Sequence, residues 1–182
     1  MCTSTLTTLI SYNQNSRRLK MGMALSLRDY LRSMNSSHET LTHPHADRSN
    51  YVAKSAHIPG AKLAKGVLLA SGTGYMLAVI PADHRLDIHK IENIIKEKVD
   101  MASEGEVEMI FNDCDPGAVP PVGQAYGLTV FLDDHLADCD DIYLEGGDHE
   151  SLVHMEADNF RHVMQGAVYG DFTRDVEYAE RV

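Results

Sequence analysis

The chain has 182 residues, 43% apolar and 24% charged, with a formal net charge of −11, a balance that suits one globular domain. No apolar run approaches the roughly 18 to 20 residues that cross a bilayer. Cys2, Cys114 and Cys139 form no CxxC pair, so a membrane-spanning helix and a disulfide framework are excluded and a cytoplasmic location is expected.

The charge is divided. Residues 1–98 carry a net +6 and residues 99–182 a net −17. Charges are screened over about 8 Å at physiological salt, so a basic patch in the first half can attract phosphate on an acidic protein. The plain alternative is a solvated acidic surface.

Residues 1–22 are rich in Thr, Ser and Asn, and Arg17, Arg18 and Lys20 follow rather than precede their apolar stretch. That order is wrong for a secretory signal, and the segment is set aside as a tail. Ser26 is placed to cap a helix whose Leu27, Tyr30, Leu31 and Met34 share one face of a 3.6-residue period. A short strand is expected over Glu39 to His43, and a helix from about Ser49 to His57, ended by Ile58-Pro59-Gly60. Ala64 to Ala70 and Tyr75 to Ile80, separated by Ser71-Gly72-Thr73-Gly74, predict a hairpin. Asp87 begins a helix that turns Ile88, Ile91 and Ile95 inward. Ser103 and Glu106 predict a capping box on another that carries Val107, Ile110 and Phe111.

Asn112 to Gly123, NDCDPGAVPPVG, is too rich in Gly, Pro and Asp for a regular element, yet Ala118, Val119 and Val122 are apolar. A stiff, partly buried loop is expected. Strands follow over about Leu128 to Leu132, Asp141 to Glu145 and Leu152 to Met155, with Gly146-Gly147 at the last turn. Glu156 to Val168 predicts a closing helix bearing Phe160, Val163, Met164 and Ala167. The pattern predicts a mixed sheet in a single domain over 23–169, with a fraying acidic tail over 170–182.

Ten histidines invite a metal reading, with His43-Pro44-His45 the tightest cluster. Pro44 favours an extended backbone that sends the two imidazoles to opposite sides, and no HExxH or CxxC accompanies them. No cofactor or metal is expected. G-x-S-x-G, P-loop and G-x-G-x-x-G motifs are also missing. Cys114 lies between Asp113 and Asp115, which would raise its pKa and blunt it as a nucleophile.

Two segments remain. Lys65 enters an apolar strand, where a charge is costly to bury unless it meets an anion or reaches the rim. In the loop Asp115 to Gly123, glycine permits close approach and proline stiffens the backbone. The amides of Gly117, Ala118 and Val119 could then serve as fixed donors to an oxyanion. The bland alternatives are a rim lysine and a structural turn.

The lysine-bearing strand, Val79-Ile80-Pro81, Met101-Ala-Ser-Glu104, GAVPPVG, the strand ending at Asp133, and Gly146-Gly-Asp-His149 occur in an order that resembles one family. From about Leu25 to Val168 the chain is similar to the YbaK and ProX family of aminoacyl-tRNA deacylases, related to the editing domain of bacterial prolyl-tRNA synthetases. The resemblance implies an α/β fold of the α+β type, with a mixed, mostly antiparallel, barrel-like sheet packed by helices. It also implies hydrolysis in trans of the ester of a misacylated tRNA. It makes Lys65 the strand lysine that holds the terminal nucleotide and supports catalysis. Gly117 becomes the loop glycine that binds the aminoacyl group and positions water, and His149 a residue of the pocket rim. His43, Ala118, Val119, Pro120 and Asp133 are further substrate-binding positions on this reading.

The chain departs from the pattern at Gly66-Val67, where Thr-Leu or Asn-Leu is usual, and in GAVPP, where Gly-Gly-x-x-Pro is usual. The amino acid removed is left open. Water attack assisted by Lys65 and the Gly117 backbone needs neither metal nor protein nucleophile. Arg48, Lys54 and Lys62 are the expected contacts to the tRNA acceptor end, and an aminoacyl-tRNA synthetase is a further expected partner. The alternative is a non-catalytic module of the same fold that recognises a small ligand or a protein.

Overall fold

A computed structural model describes residues 22–45 and 57–174. Residues 1–21 of the expected tail over 1–22, the helix expected from about Ser49 up to residue 56, and Arg48 and Lys54 lie outside the described residues. Among those described, no helix is long and apolar enough to cross a membrane.

Helix α1 (Leu25–Ser33) buries Leu27 and Leu31, as its period requires. Ser26 does not cap it. The N-cap position is Ala24, and Asp113, 87 residues away, takes the Ser26 backbone N–H on Oδ2 at 2.7 Å. After β1 (Glu39–Thr42) come β2 (Leu63–Ser71) and β3 (Gly74–Pro81), paired as the expected hairpin. A short β4 (Arg85–Leu86) precedes α2 (Ile88–Ile95), whose cap Asp87 accepts from the His89 N–H. Next are β5 (Val99–Met101) and α3 (Glu104–Ile110), with both halves of the Ser103 and Glu106 capping box formed. The remaining elements are β6 (Thr129–Asp133), α4 (Asp134–Ala137), β7 (Asp141–Glu145), β8 (Ser151–Glu156), α5 (Ala157–Val163), β9 (Val168–Gly170) and β10 (Thr173–Arg174).

The main sheet runs β1-β8-β7-β2-β3-β6-β9, with β5 added to β2. It is mixed: β2 with β7, β3 with β6 and β6 with β9 are parallel, and the other pairs antiparallel. The mixed sheet packed by helices is as expected, and no pair among the described residues joins β1 to β9.

Because successive side chains alternate across a strand, the sheet feeds two cores. Leu68, Leu77, Val79, Val130 and Leu132 face α1 and α5, where Leu27, Leu31, Phe160 and Val163 enclose them. Leu69, Met76, Ala78 and Phe131 face α2, where Ile91 and Phe172 cover them. The closing helix is shorter than expected. The chain turns at Gly166, with φ of +81°, and becomes β9 from Val168. Nor do residues 170–174 fray: Phe172 is buried, its N–H donates to Asp133 Oδ2 at 2.8 Å, and β10 pairs with β4.

Burial alone would raise the Asp113 carboxyl, but the hydrogen bonds from Ser26 and Tyr126 outweigh it and hold the pKa below the ordinary aspartate value. The stability it contributes is therefore present above the unfolded value of about 3.9 and is lost as pH falls through the lower folded value. Asp113→Ala should cost about 1 to 2 kcal/mol in urea unfolding at pH 7, as loss of a helix cap does. The gap to the unsubstituted protein should close in acid.

Candidate active site

Strand β2 is paired with β3 along its length, but its other edge changes partner. It pairs with β7 at Leu63 and Ala64 and with β5 at Leu69 to Ser71. The Leu68 carbonyl accepts from the Ala102 N–H just beyond β5. Lys65 to Val67 have no strand partner on that edge among the described residues, and sheets bind ligands where neighbouring strands part. The loop after α3 lies against this gap. Between them is a hollow of about 410 Å³, with Gly66, Val67 and Leu68 on one wall, Glu108 of α3 on another, and Gly117 and Val119 on a third. A second hollow of about 300 Å³ shares Val107, Glu108, Gly117 and Val119 and adds Ala118.

Gly117 has φ of +83°, a conformation that a β-carbon makes costly. Of the three amides expected as donors, two are engaged within the loop. Ala118 N–H donates to the Asp115 carbonyl at 2.9 Å and Val119 N–H to the Gly117 carbonyl at 3.1 Å. The Gly117 N–H has no acceptor among the described residues. Ala118 and Pro120 are buried.

The β7–β8 turn holds the loop. Asp115 N–H donates to the Gly147 carbonyl at 2.8 Å, and His149 Nε2 lies 2.9 Å from the Pro116 carbonyl. A carbonyl only accepts, so this nitrogen carries the proton. Glu145 Oε1 accepts from the backbone N–H groups of Gly147 and His149. The His45 ring meets His149 edge-on, with centroids 5.3 Å apart. In the sequence His45 stands near His43 and 104 residues from His149.

Lys65 does not stand across the hollow from the loop. Alternation puts Gly66 and Leu68 on the loop's face and Lys65 with Leu69 on the other. Its Nζ donates to the His84 carbonyl at 3.1 Å. Burial pushes this ammonium below the usual lysine pKa, with Asp83 opposing and Arg85 reinforcing the shift. Lys65 and Gly117 therefore approach the gap in β2 from opposite faces of the sheet.

Asp133, expected to contact substrate, is fully buried with both oxygens engaged. Oδ1 accepts from His135 through its backbone N–H at 3.0 Å and through Nδ1 at 2.7 Å, and Oδ2 takes Phe172. Asp133, His135 and Asp171 have ligand atoms within 4.8 Å of one another, but Lys90 already pairs with Asp171 at 2.8 Å. His43 is buried outside both hollows; its Nδ1 donates to the Pro44 carbonyl at 2.8 Å, and its Nε2 has no hydrogen-bond partner among the described residues. Lys62 forms an ion pair with Asp141. Burial, with Asp113 adding to it, pushes the Cys114 thiol up to about 12, which leaves no thiolate for nucleophilic chemistry.

The sequence profile of the aminoacyl-tRNA editing domain matches residues 43–163. The chain belongs to the aminoacyl-tRNA editing domain family. No curated protein sequence matches it. Among solved structures, one named for a proposed trans-editing role with prolyl-tRNA synthetase is 20% identical, with a TM-score of 0.72, over 82% of this chain and 96% of its own. A computationally designed scaffold for linear epitopes is 19% identical, with a TM-score of 0.74, over 84% and 97%. A proposed signal transduction protein from Marinobacter aquaeolei is 18% identical, with a TM-score of 0.66, over 82% of this chain and 30% of its own. At these identities the likeness is one of fold.

The geometry gives this editing domain's Gly66 a physical reason. A β-carbon there would lie 3.0 Å from Val119 Cγ1 and 3.4 Å from both Leu77 Cδ1 and the Pro121 backbone. The loop sits where a larger residue would stand. Gly66→Thr should displace Val119, cost about 1 to 3 kcal/mol by overpacking, and narrow the hollow. Thermal unfolding and the crystal structure of the variant check both effects.

Proposed function

We propose that this editing domain is a trans-acting deacylase that hydrolyses the ester between a mischarged amino acid and the terminal ribose of tRNA. The observation that carries the reading is the Gly117 N–H, which has no acceptor among the described residues and borders a hollow at the open edge of β2. A water adds to the ester carbonyl and gives up a proton to solvent, and the carbonyl oxygen becomes an oxyanion. Collapse breaks the bond to the ribose oxygen, which takes a proton from solvent, leaving free amino acid and uncharged tRNA. The Gly117 N–H donates to that oxyanion. Such a fixed donor stabilises charge that develops only in the transition state.

Lys65 supports the other end of the substrate. Its ammonium is destabilised by burial, so a phosphate of the terminal nucleotide would gain from meeting it and would relieve its desolvation. The nucleotide then lies on the Lys65 face, the aminoacyl group enters the hollow on the loop face, and the ester crosses the gap between them. Arg48, Lys54 and Lys62 remain proposed contacts to the RNA, and Lys62 must exchange Asp141 for phosphate. A synthetase enters as the source of the mischarged tRNA. Editing of this kind exists because one methylene gives a synthetase only about 1 to 3 kcal/mol of discrimination.

The test is release of amino acid from a panel of mischarged tRNAs. Gly117→Ala keeps a backbone N–H, but its β-carbon disfavours the φ of +83° that positions it, so kcat should fall about 10²- to 10³-fold, as displacement of an oxyanion donor does. Lys65→Ala should lower kcat/KM about 10- to 100-fold, largely through KM, as loss of a charged hydrogen bond does. Full activity in Lys65→Ala, or no turnover above background by the unsubstituted protein, would overturn the proposal.

A further inference from the structure

The two hollows beside the Gly117 loop carry an asymmetry of charge. Among the described residues no Lys, Arg or His borders either one, whereas Glu104 and Glu108 border the larger and Glu108 and Asp115 the smaller. Glu104 and Glu108 are four residues apart on α3 and so share a helix face. No hydrogen bond or ion pair among the described residues occupies either side-chain carboxylate. The rest of the larger hollow is mainly apolar, from Val67, Leu68, Met101, Val107 and Val119.

An RNA phosphate is repelled by such a lining, so the part of the substrate that suits it is neutral or cationic. Every aminoacyl ester has one such group at a fixed place. Its α-amine, with an ordinary pKa of about 7.7 to 8.0, is largely protonated at pH 7 and sits on the carbon attached to the reacting carbonyl. If the Gly117 N–H meets the carbonyl oxygen, the α-ammonium must lie close to the same loop. Glu108 is the acidic residue that borders both hollows together with Gly117.

We propose that Glu108, assisted by Glu104, receives the α-ammonium of the aminoacyl group, so that the enzyme acts on esters with a free amine and spares N-acylated ones. This inference rests on the proposed deacylase activity and adds the recognition element to it. A primary ammonium at the end of a lysine side chain has the same chemistry, but it lies several bonds further from the carbonyl and is not placed by the Gly117 contact. The α-amine is therefore the group assigned.

The experiment takes whichever aminoacyl-tRNA the panel above shows to turn over, its N-acetylated form, and lysyl-tRNA. The full chain is compared with its Glu108→Gln and Glu104→Gln variants. Both positions are exposed, so neither change should disturb folding. The unsubstituted enzyme should favour the free-amine ester. Glu108→Gln should lower kcat/KM for that ester about fivefold, as loss of a partly solvated ion pair does, chiefly by raising KM. The N-acetyl ester should be unaffected.

Equal rates on the two esters by the unsubstituted enzyme, equal losses on both in Glu108→Gln, or a loss confined to lysyl-tRNA would each overturn the assignment. A complete lack of turnover on every ester would instead overturn the deacylase reading beneath it.

Discussion

Two backbone hydrogen bonds from the β7–β8 turn organise the reactive side of this molecule. The Gly146 carbonyl accepts from Ala24 at the start of α1, and the Gly147 carbonyl accepts from Asp115 in the loop, both at 2.8 Å. Such close approach depends on glycine. A β-carbon on Gly147 would lie 2.8 Å from that of Ala24 and 3.0 Å from Cys114 Sγ, and the backbone there has φ of +110°. The other ties converge on the same place: Asp113 on the Ser26 N–H and His149 on the Pro116 carbonyl. The loop is thus fixed from behind by structure remote in sequence, and Gly117, whose N–H has no acceptor among the described residues, lines both hollows.

The legible parts of the chain were those governed by local rules. The β2–β3 hairpin, the Asp87 cap and the Ser103 and Glu106 capping box depend on residues a few positions apart, and each formed as its pattern required. The Asp113 cap of α1 spans 87 residues, and no local pattern contains it. Strands of two or three residues, such as β4, β5 and β10, are too short to show a period. The acidic composition after Gly170 suggested fraying, but it hid Phe172, a single apolar side chain that closes the core against Phe131.

The site divides in the same way. Glycine and proline in GAVPPVG marked the loop, and Lys65 stood out as a charge in an apolar strand. That the two reach the gap from opposite faces follows from the parity of their positions relative to Leu68 and Leu69 and from the change of partner along β2. Both are properties of the assembled sheet. Asp133 was conspicuous in sequence because it ends a strand, and in the structure that prominence reflects its task of tethering His135 and Phe172.

The crevice is a missing stretch of β ladder rather than a chamber scooped from the core. Its polar frame is main chain together with Glu104 and Glu108, and the rest of its walls are a handful of mainly apolar side chains. Exchanges at those positions could retune which residue is accepted while leaving the hydrolytic scaffold untouched, so divergence in selectivity within such a domain would demand few compensating changes elsewhere.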